Sequence, residues 1–243
     1  MLGQARRVAR VLVEDPDLGS AVSSEIRDTA ERDCVAALVD VGRGPWEAER
    51  YTVGPHGIGL YVLQGLLIRR VGHEGRFGAE LLGDGDLLRP WQQDGDPALP
   101  FYTAWEVLEP ARLAVLDLAF AECLGRYPEV MAVLFERSLA RSRTLAVNMA
   151  IVHYPRVDVR VHMLLWHLAQ RWGRVRADGV MLTKRLTHSV LADLVAARRP
   201  SVTSALSRLA DQGLVESVDR RWRLIGDPPA ELTSIVRQAR LGG

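Results

Sequence analysis

Arg198, Arg199, Ser201, Thr203, Ser204, Ser207 and Arg208 crowd into one short stretch, AARRPSVTSALSRL, residues 196–209. Guanidinium groups make paired hydrogen bonds to guanine edges and to phosphates, and short hydroxyls donate or accept without holding a helix away from a groove. Between them, Val202, Ala205, Leu206 and Leu209 recur at i, i+3, i+4 and i+7, the inward stripe of an amphipathic helix. Pro200 suits the first turn of that helix, where its missing N–H is no loss, and an anion near that end also meets unpaired N–H groups. The chemistry implied is recognition of a polyanion. Catalytic patterns are missing: no Gly-x-Gly-x-x-Gly, P-loop, His-Glu-x-x-His or Gly-x-Ser-x-Gly occurs. An enzyme is not expected.

Neighbouring elements must hold this helix. Upstream, Thr187 is placed to cap a first helix through VLADLVAA, with His188 in its first turn. Downstream, Gly213 suits a left-handed helix end, and Leu214–Val218 and Trp222–Ile225 read as a strand pair joined by a basic turn, Asp219-Arg220-Arg221. Two short helices and a hairpin make a helix-turn-helix with a wing. Charge follows the same division: residues 156–243 hold 15 Lys+Arg against 8 Asp+Glu, or +7, and residues 1–155 hold 16 against 22, or −6. The basic half suits double-stranded DNA.

The rest of the chain divides into a sheet region and a connecting helix. Ten of the 21 glycines fall between Gly54 and Gly95, among short apolar runs, which predicts a small β-barrel or sandwich. Residues 1–33 read as mainly helical, Cys34–Val41 as the first strand, and Thr103–Leu108 and Leu113–Leu116 as two more. From Pro128 to His153 no glycine or proline intervenes, which predicts one long helix. Along it Met131, Phe135, Ser138, Ser142, Leu145, Met149 and Val152 form a line at spacings of three and four. That line suits a seam against a second copy of the helix, the alternative being an ordinary core helix. Pro155 stops it, Asp158 is expected to cap the next helix, and HYPRVD is the hinge between them. The predicted domains are 1–126, 127–155 and 156–243, in an α+β protein. Cys34 and Cys123 lie far apart in sequence, which suggests inert core thiols with neither a disulfide framework nor an iron–sulfur site. His162 and His167, five apart on a helix, face different ways and make no metal pair. With no long apolar run and no leader-like first segment, the expected location is cytoplasmic, away from membranes.

With these features on one chain, LTHSVLADLVAARRPSVTSALSRLADQGLVES resembles the winged helix-turn-helix of Crp/Fnr-family transcriptional regulators, and the order of barrel, long helix, hinge and winged domain covers nearly the whole length. The resemblance implies a cyclic-nucleotide-binding-like jelly roll, a homodimer on a palindromic operator, and contact with RNA polymerase. By position it makes Arg199 a guanine reader, places Thr203 and Ser204 at base or phosphate contacts, and sets His188 and Arg198 beside the backbone. Pro200 stands where the family often has an acidic residue, so the family's usual half-site is not implied. The ligand region departs further. Arg89-Pro90-Trp91 falls at the glutamate that holds cyclic AMP, and Phe101-Tyr102-Thr103 at the arginine, which argues against cyclic AMP in the usual manner. Arg89 and Trp91 are the candidates for another anionic or aromatic effector. The other reading of the chain is a cyclic-nucleotide-type ligand-binding module that acts through protein contacts, its winged domain an adaptor.

Overall fold

The computed structural model describes residues 7–51, 53–54, 56–73, 76–90 and 102–232. Two compact units emerge, one of Met1–Arg76 and Glu80–Thr144, the other of Phe77–Ala79 and Leu145–Gly243.

The first unit is built on one sheet. Its elements are β1 (Val8–Arg10), α1 (Val11–Glu14), α2 (Pro16–Gly19), α3 (Arg27–Asp33), β2 (Val35–Val41), β3 (Gly44–Trp46), a 3-10 turn at Ala48–Arg50, β4 (Gly59–His73), β5 (Arg76–Gly83), β6 (Leu87–Leu88), β7 (Tyr102–Leu116) and α4 (Leu118–Leu124). The strands run in the order β1-β2-β7-β4-β5, with β3 also on β7 and β6 on β4. Alternation along each strand sends side chains to two cores. Tyr61, Ala114, Leu116 and Ala36 face the helical segments, packing with Val11, Leu18, Phe120 and Leu124. Leu60, Val62, Val107 and Leu113 face the other way and meet Trp46, Leu82, Leu88 and Trp105, all from strands of this same sheet. A face that packs on itself requires the sheet to wrap round, as in a jelly roll, although no ladder closes the ends among the described residues.

Two sequence expectations are corrected here. Residues 1–33 were expected to be mainly helical; β1 opens the described chain, and its helices are short because Asp15 ends α1 and caps α2, where Pro16 starts a new turn. The two strands expected across 103–116 are one strand, β7, that passes straight through Pro110. On one side β3 pairs with 105–107 and β2 with 111–115, so Pro110 falls in the gap between them. Opposite, β4 bulges at Gly65, with φ +123°, where a Cβ would lie 2.8 Å from the Pro110 carbonyl oxygen. A missing N–H is tolerated at such a bulge.

Helix α5 (Pro128–Val152) runs on from the first unit into the second. Two arginines one turn apart tie its first half to the sheet. Arg137 donates to Asp15, at 2.5 and 3.2 Å, and to the Tyr61 hydroxyl. Arg141 makes a two-pronged pair with the buried Glu80 at 2.6 and 3.1 Å and also donates to the Leu87 carbonyl.

After α5 come α6 (Val157–Trp172), β8 (Gly173–Arg176), β9 (Gly179–Leu182), α7 (His188–Leu194), α8 (Arg199–Asp211), β10 (Val215–Val218) and β11 (Arg221–Leu224). The four strands form a second antiparallel sheet in the order β10-β11-β9-β8. Asp158 is not the cap of α6 that was expected. The helix starts two residues earlier, at Val157, Arg156 holds the cap position, and Asp158 sits in the first turn, accepting from its neighbour Val159 N–H at 3.1 Å.

Candidate nucleic-acid interface

Helix α7 begins where the Thr187 hydroxyl accepts from the Val190 N–H at 3.2 Å, and it ends in a left-handed residue. That residue is Ala196, at φ +50°, with the Ala197 N–H returning to the Ala192 carbonyl at 3.0 Å. Glycine is the usual choice for this closure, and alanine adopts it at a cost of about 1 kcal/mol. Arg160 of α6 supports the turn from beneath by donating to the carbonyls of Val195 and Ala196, at 3.2 and 3.5 Å. A tight, braced connection then delivers α8.

On α8 the inward stripe is as the spacing implies: Val202 and Ala205 are fully buried, and Leu206 and Leu209 nearly so. Arg198, Arg199, Ser201, Thr203, Ser204, Ser207 and Arg208 are all exposed. The helix closes on Gly213 at φ +68°, with the Leu214 N–H bonded to the Leu209 carbonyl and the Gly213 N–H to that of Ala210, both at 2.9 Å. The wing is a two-residue turn rather than the three-residue one expected, because Val218 pairs with Arg221 and only Asp219 and Arg220 lie outside the ladder, both at positive φ. Arg220 is exposed at the tip, whereas Arg221 is half-buried in β11.

His188 acts as a strut. Its Nδ1 lies 2.9 Å from the Thr203 hydroxyl, and its ring is 5.7 Å from that of Trp222 in β11, so one side chain joins the start of α7, the face of α8 and the wing. Trp222 is fastened in turn by its indole N–H to the Leu186 carbonyl, at 2.9 Å. One further basic residue of the wing, Arg223, is engaged by Glu216 and Asp178.

Beside the N-terminal half of α8, Ser201, Ser204 and Arg208 line an open concavity together with Arg156, Val157 and Asp158. Asp158 takes both arms of Arg156, at 2.6 and 3.2 Å, and lies 3.7 Å from Arg208. The Arg156 hydrogen bonds hold the Asp158 carboxyl below the ordinary carboxylate range against the opposing effect of burial, with Arg208 adding to the lowering. It therefore stays ionised and partly offsets two arginines that would otherwise meet a phosphate together.

This arrangement has counterparts among known proteins. The family model described as a Crp-like helix-turn-helix domain matches residues 159–230, from α6 to beyond the wing. That segment is a Crp-like helix-turn-helix domain. A CRP-like cAMP-activated global transcriptional regulator of Mycobacterium tuberculosis is 28% identical over 120 residues, 49% of this chain and 54% of that protein. The matched segments thus span about half the length of the curated relatives. Among solved structures, a cyclic nucleotide-binding domain containing protein from Listeria monocytogenes shares the fold at a TM-score of 0.62, with 14% identity over 86% of this chain and 96% of the other. FixK2 from Bradyrhizobium japonicum does so at 0.58, with 17% identity over 83% and 96%.

Other expected features of the chain fall as follows. Along α5, Met131, Phe135 and Met149 are 40%, 64% and 65% exposed, Ser138 and Ser142 are exposed, and Leu145 and Val152 are half-buried. Leu139, four residues after Phe135 and three before Ser142, is also exposed and was not in the expected line. Arg89 is exposed just after β6, and Trp91 lies outside the described residues. His162 accepts from the Trp166 indole at 3.0 Å, and among the described residues no group of three metal-ligating side chains occurs. No described helix is long and apolar enough to cross a membrane. Sequence reading missed Arg156, Asp158 and Arg160; the signal available was an arginine two residues before an aspartate at a helix start.

Proposed function

We propose that this chain is a sequence-specific DNA-binding transcriptional regulator that acts as a homodimer on a palindromic operator and reaches RNA polymerase from there. The observation that carries the reading is α8 itself, whose apolar stripe is wholly buried while its arginines and hydroxyls form one exposed face beside a basic wing tip. In the major groove, Arg199 reads guanine, Ser201 and Ser204 approach base edges or phosphates, and Arg198, Arg208 and Arg220 take backbone phosphates. Thr203, already bonded to His188, sets the position of the helix more than it reads a base.

The dimer rests on α5. Its exposed apolar side chains are arranged along one face with serines between them, an expensive surface to leave in water and a fitting one to place against its own copy. Phe135→Asp puts two charges into that seam and is expected to make the protein monomeric at micromolar concentration in sedimentation velocity, with a loss of at least 100-fold in affinity for a two-half-site DNA. A variant that stays dimeric moves the interface elsewhere.

Within the first unit, the reading includes no cyclic AMP held in the family's usual manner. Tyr102 and Thr103, at the place of the phosphate-binding arginine, are exposed on β7, and Arg69 and Arg141 are both engaged by Glu80.

A further inference from the structure

Cys34 and Cys123 are separated by 89 residues, yet their sulfurs lie 3.8 Å apart, and both are free thiols. Cys34 terminates α3, its N–H bonded to the Ala30 carbonyl, and its side chain is fully buried among Val11, Leu12, Tyr61 and Phe120. Cys123 is in the last turn of α4 and half-buried. On the solvent side Arg126 donates to the Cys123 sulfur at 3.5 Å, and the same guanidinium pairs with Asp33 at 2.8 Å. Tyr127 donates to that carboxylate as well, at 2.8 Å. One thiol therefore meets solvent beside a cation, and the second lies behind it within reach. Simple core packing accounts for a buried cysteine but asks neither for a second one in contact nor for an arginine on the outer one.

We propose that Cys34 and Cys123 are a reversible dithiol–disulfide site that reacts with hydroperoxides. In the first step the Cys123 sulfur attacks the outer peroxide oxygen; the S–O bond forms, the O–O bond breaks, and the alcohol, or water from hydrogen peroxide, leaves with the thiol proton. In the second, the Cys34 sulfur attacks the sulfenic sulfur of Cys123; the S–S bond forms, the S–O bond breaks, and hydroxide departs with the Cys34 proton as water. Two thiols lose two electrons and one hydroperoxide gains them. Burial pushes the Cys34 thiol up to about 12, with Cys123 and Asp33 adding to the rise and Arg126 opposing it, which keeps Cys34 protonated and assigns the first step to Cys123. To bond, the sulfurs must close by roughly 1.8 Å from their 3.8 Å separation. The linkage would join the end of α3 to the turn that leads into α5. This inference stands apart from the DNA-binding reading and survives its failure.

The test is exposure of the reduced full-length protein to a small molar excess of hydrogen peroxide, then alkylation, intact mass and peptide mapping. The wild type is expected to lose both alkylatable thiols together and about 2 Da, to yield a peptide joining Cys34 to Cys123, and to recover both thiols with dithiothreitol. Cys34→Ser is expected to stop at a Cys123 sulfenic acid, heavier by about 16 Da and trapped by dimedone. Wild-type protein that keeps both thiols while added glutathione is consumed overturns the proposal. So does over-oxidation of Cys123 with Cys34 still alkylatable, or a link found only between chains. The wild-type peptide decides the matter even if a variant fails to fold.

Discussion

Arg199→Ala removes sequence discrimination from the protein–DNA complex while leaving it folded and dimeric. A bidentate arginine–guanine contact is worth about 1–3 kcal/mol of discrimination, and two half-sites double it to roughly 2–6 kcal/mol, or roughly 30-fold to 10^4-fold in operator affinity. Arg199 is exposed in the first turn of α8, away from the buried stripe, so stability changes little. Fluorescence anisotropy with operator and with scrambled DNA checks it: operator affinity falls towards that of scrambled DNA, which itself drops only modestly. Arg220→Ala gives the contrasting result. At the wing tip it weakens all sequences alike and lowers the salt slope by about one for each phosphate left without its cation. If Arg199→Ala weakened all sequences equally, the arginine would bind a phosphate and the reader would lie elsewhere on α8.

The second large effect is structural. Asp15→Ala is expected to destabilise the first unit by about 3 kcal/mol, because Asp15 does three jobs with one carboxylate. It accepts from the Leu18 N–H at 2.9 Å as the cap of α2, from the buried Tyr61 hydroxyl, and from Arg137 of α5. Its side chain is 16% exposed and that of Arg137 is 26%, so the loss falls short of the full cost of a buried, unpaired charge. Burial raises the Asp15 pKa, but the hydrogen bonds from Arg137, Tyr61 and Leu18 outweigh it and leave the carboxyl below its ordinary value. A carboxylate lowered in the folded state contributes stability above its unfolded pKa, about 4, and loses it as pH falls through the folded value. Urea unfolding of wild type and Asp15→Ala should therefore differ most near pH 7 and converge below about pH 4. A difference independent of pH would mean that the ionised carboxylate is not what these three donors stabilise.

The helix-turn-helix was legible because its signals are local. Thr187, Pro200 and Gly213 punctuate the helices, Val202 to Leu209 mark the buried stripe, and all of them act within a few residues of themselves. The long helix was legible for the same reason. Tertiary pairings carry no such signal. Arg137 meets Asp15 across 122 residues and Arg141 meets Glu80 across 61, so both arginines look like surface charges in the sequence. Cys34 and Cys123 looked inert for want of a spacing motif, and only the fold brings them together. The two strands expected across 103–116 are one for a tertiary reason: the bulge at Gly65 and the gap between β2 and β3 let β7 run through Pro110.

Selection from a random pool of double-stranded DNA by the purified protein, followed by sequencing of the bound fragments, tests the central claim most directly. The expected result is an enriched inverted repeat whose half-sites lie about one helical turn, 10–10.5 base pairs, apart, each with a guanine that Arg199→Ala no longer selects. Fragments that come through without any common sequence, bound by a protein shown to be folded and dimeric both alone and with a panel of nucleotides and metabolites, would contradict it.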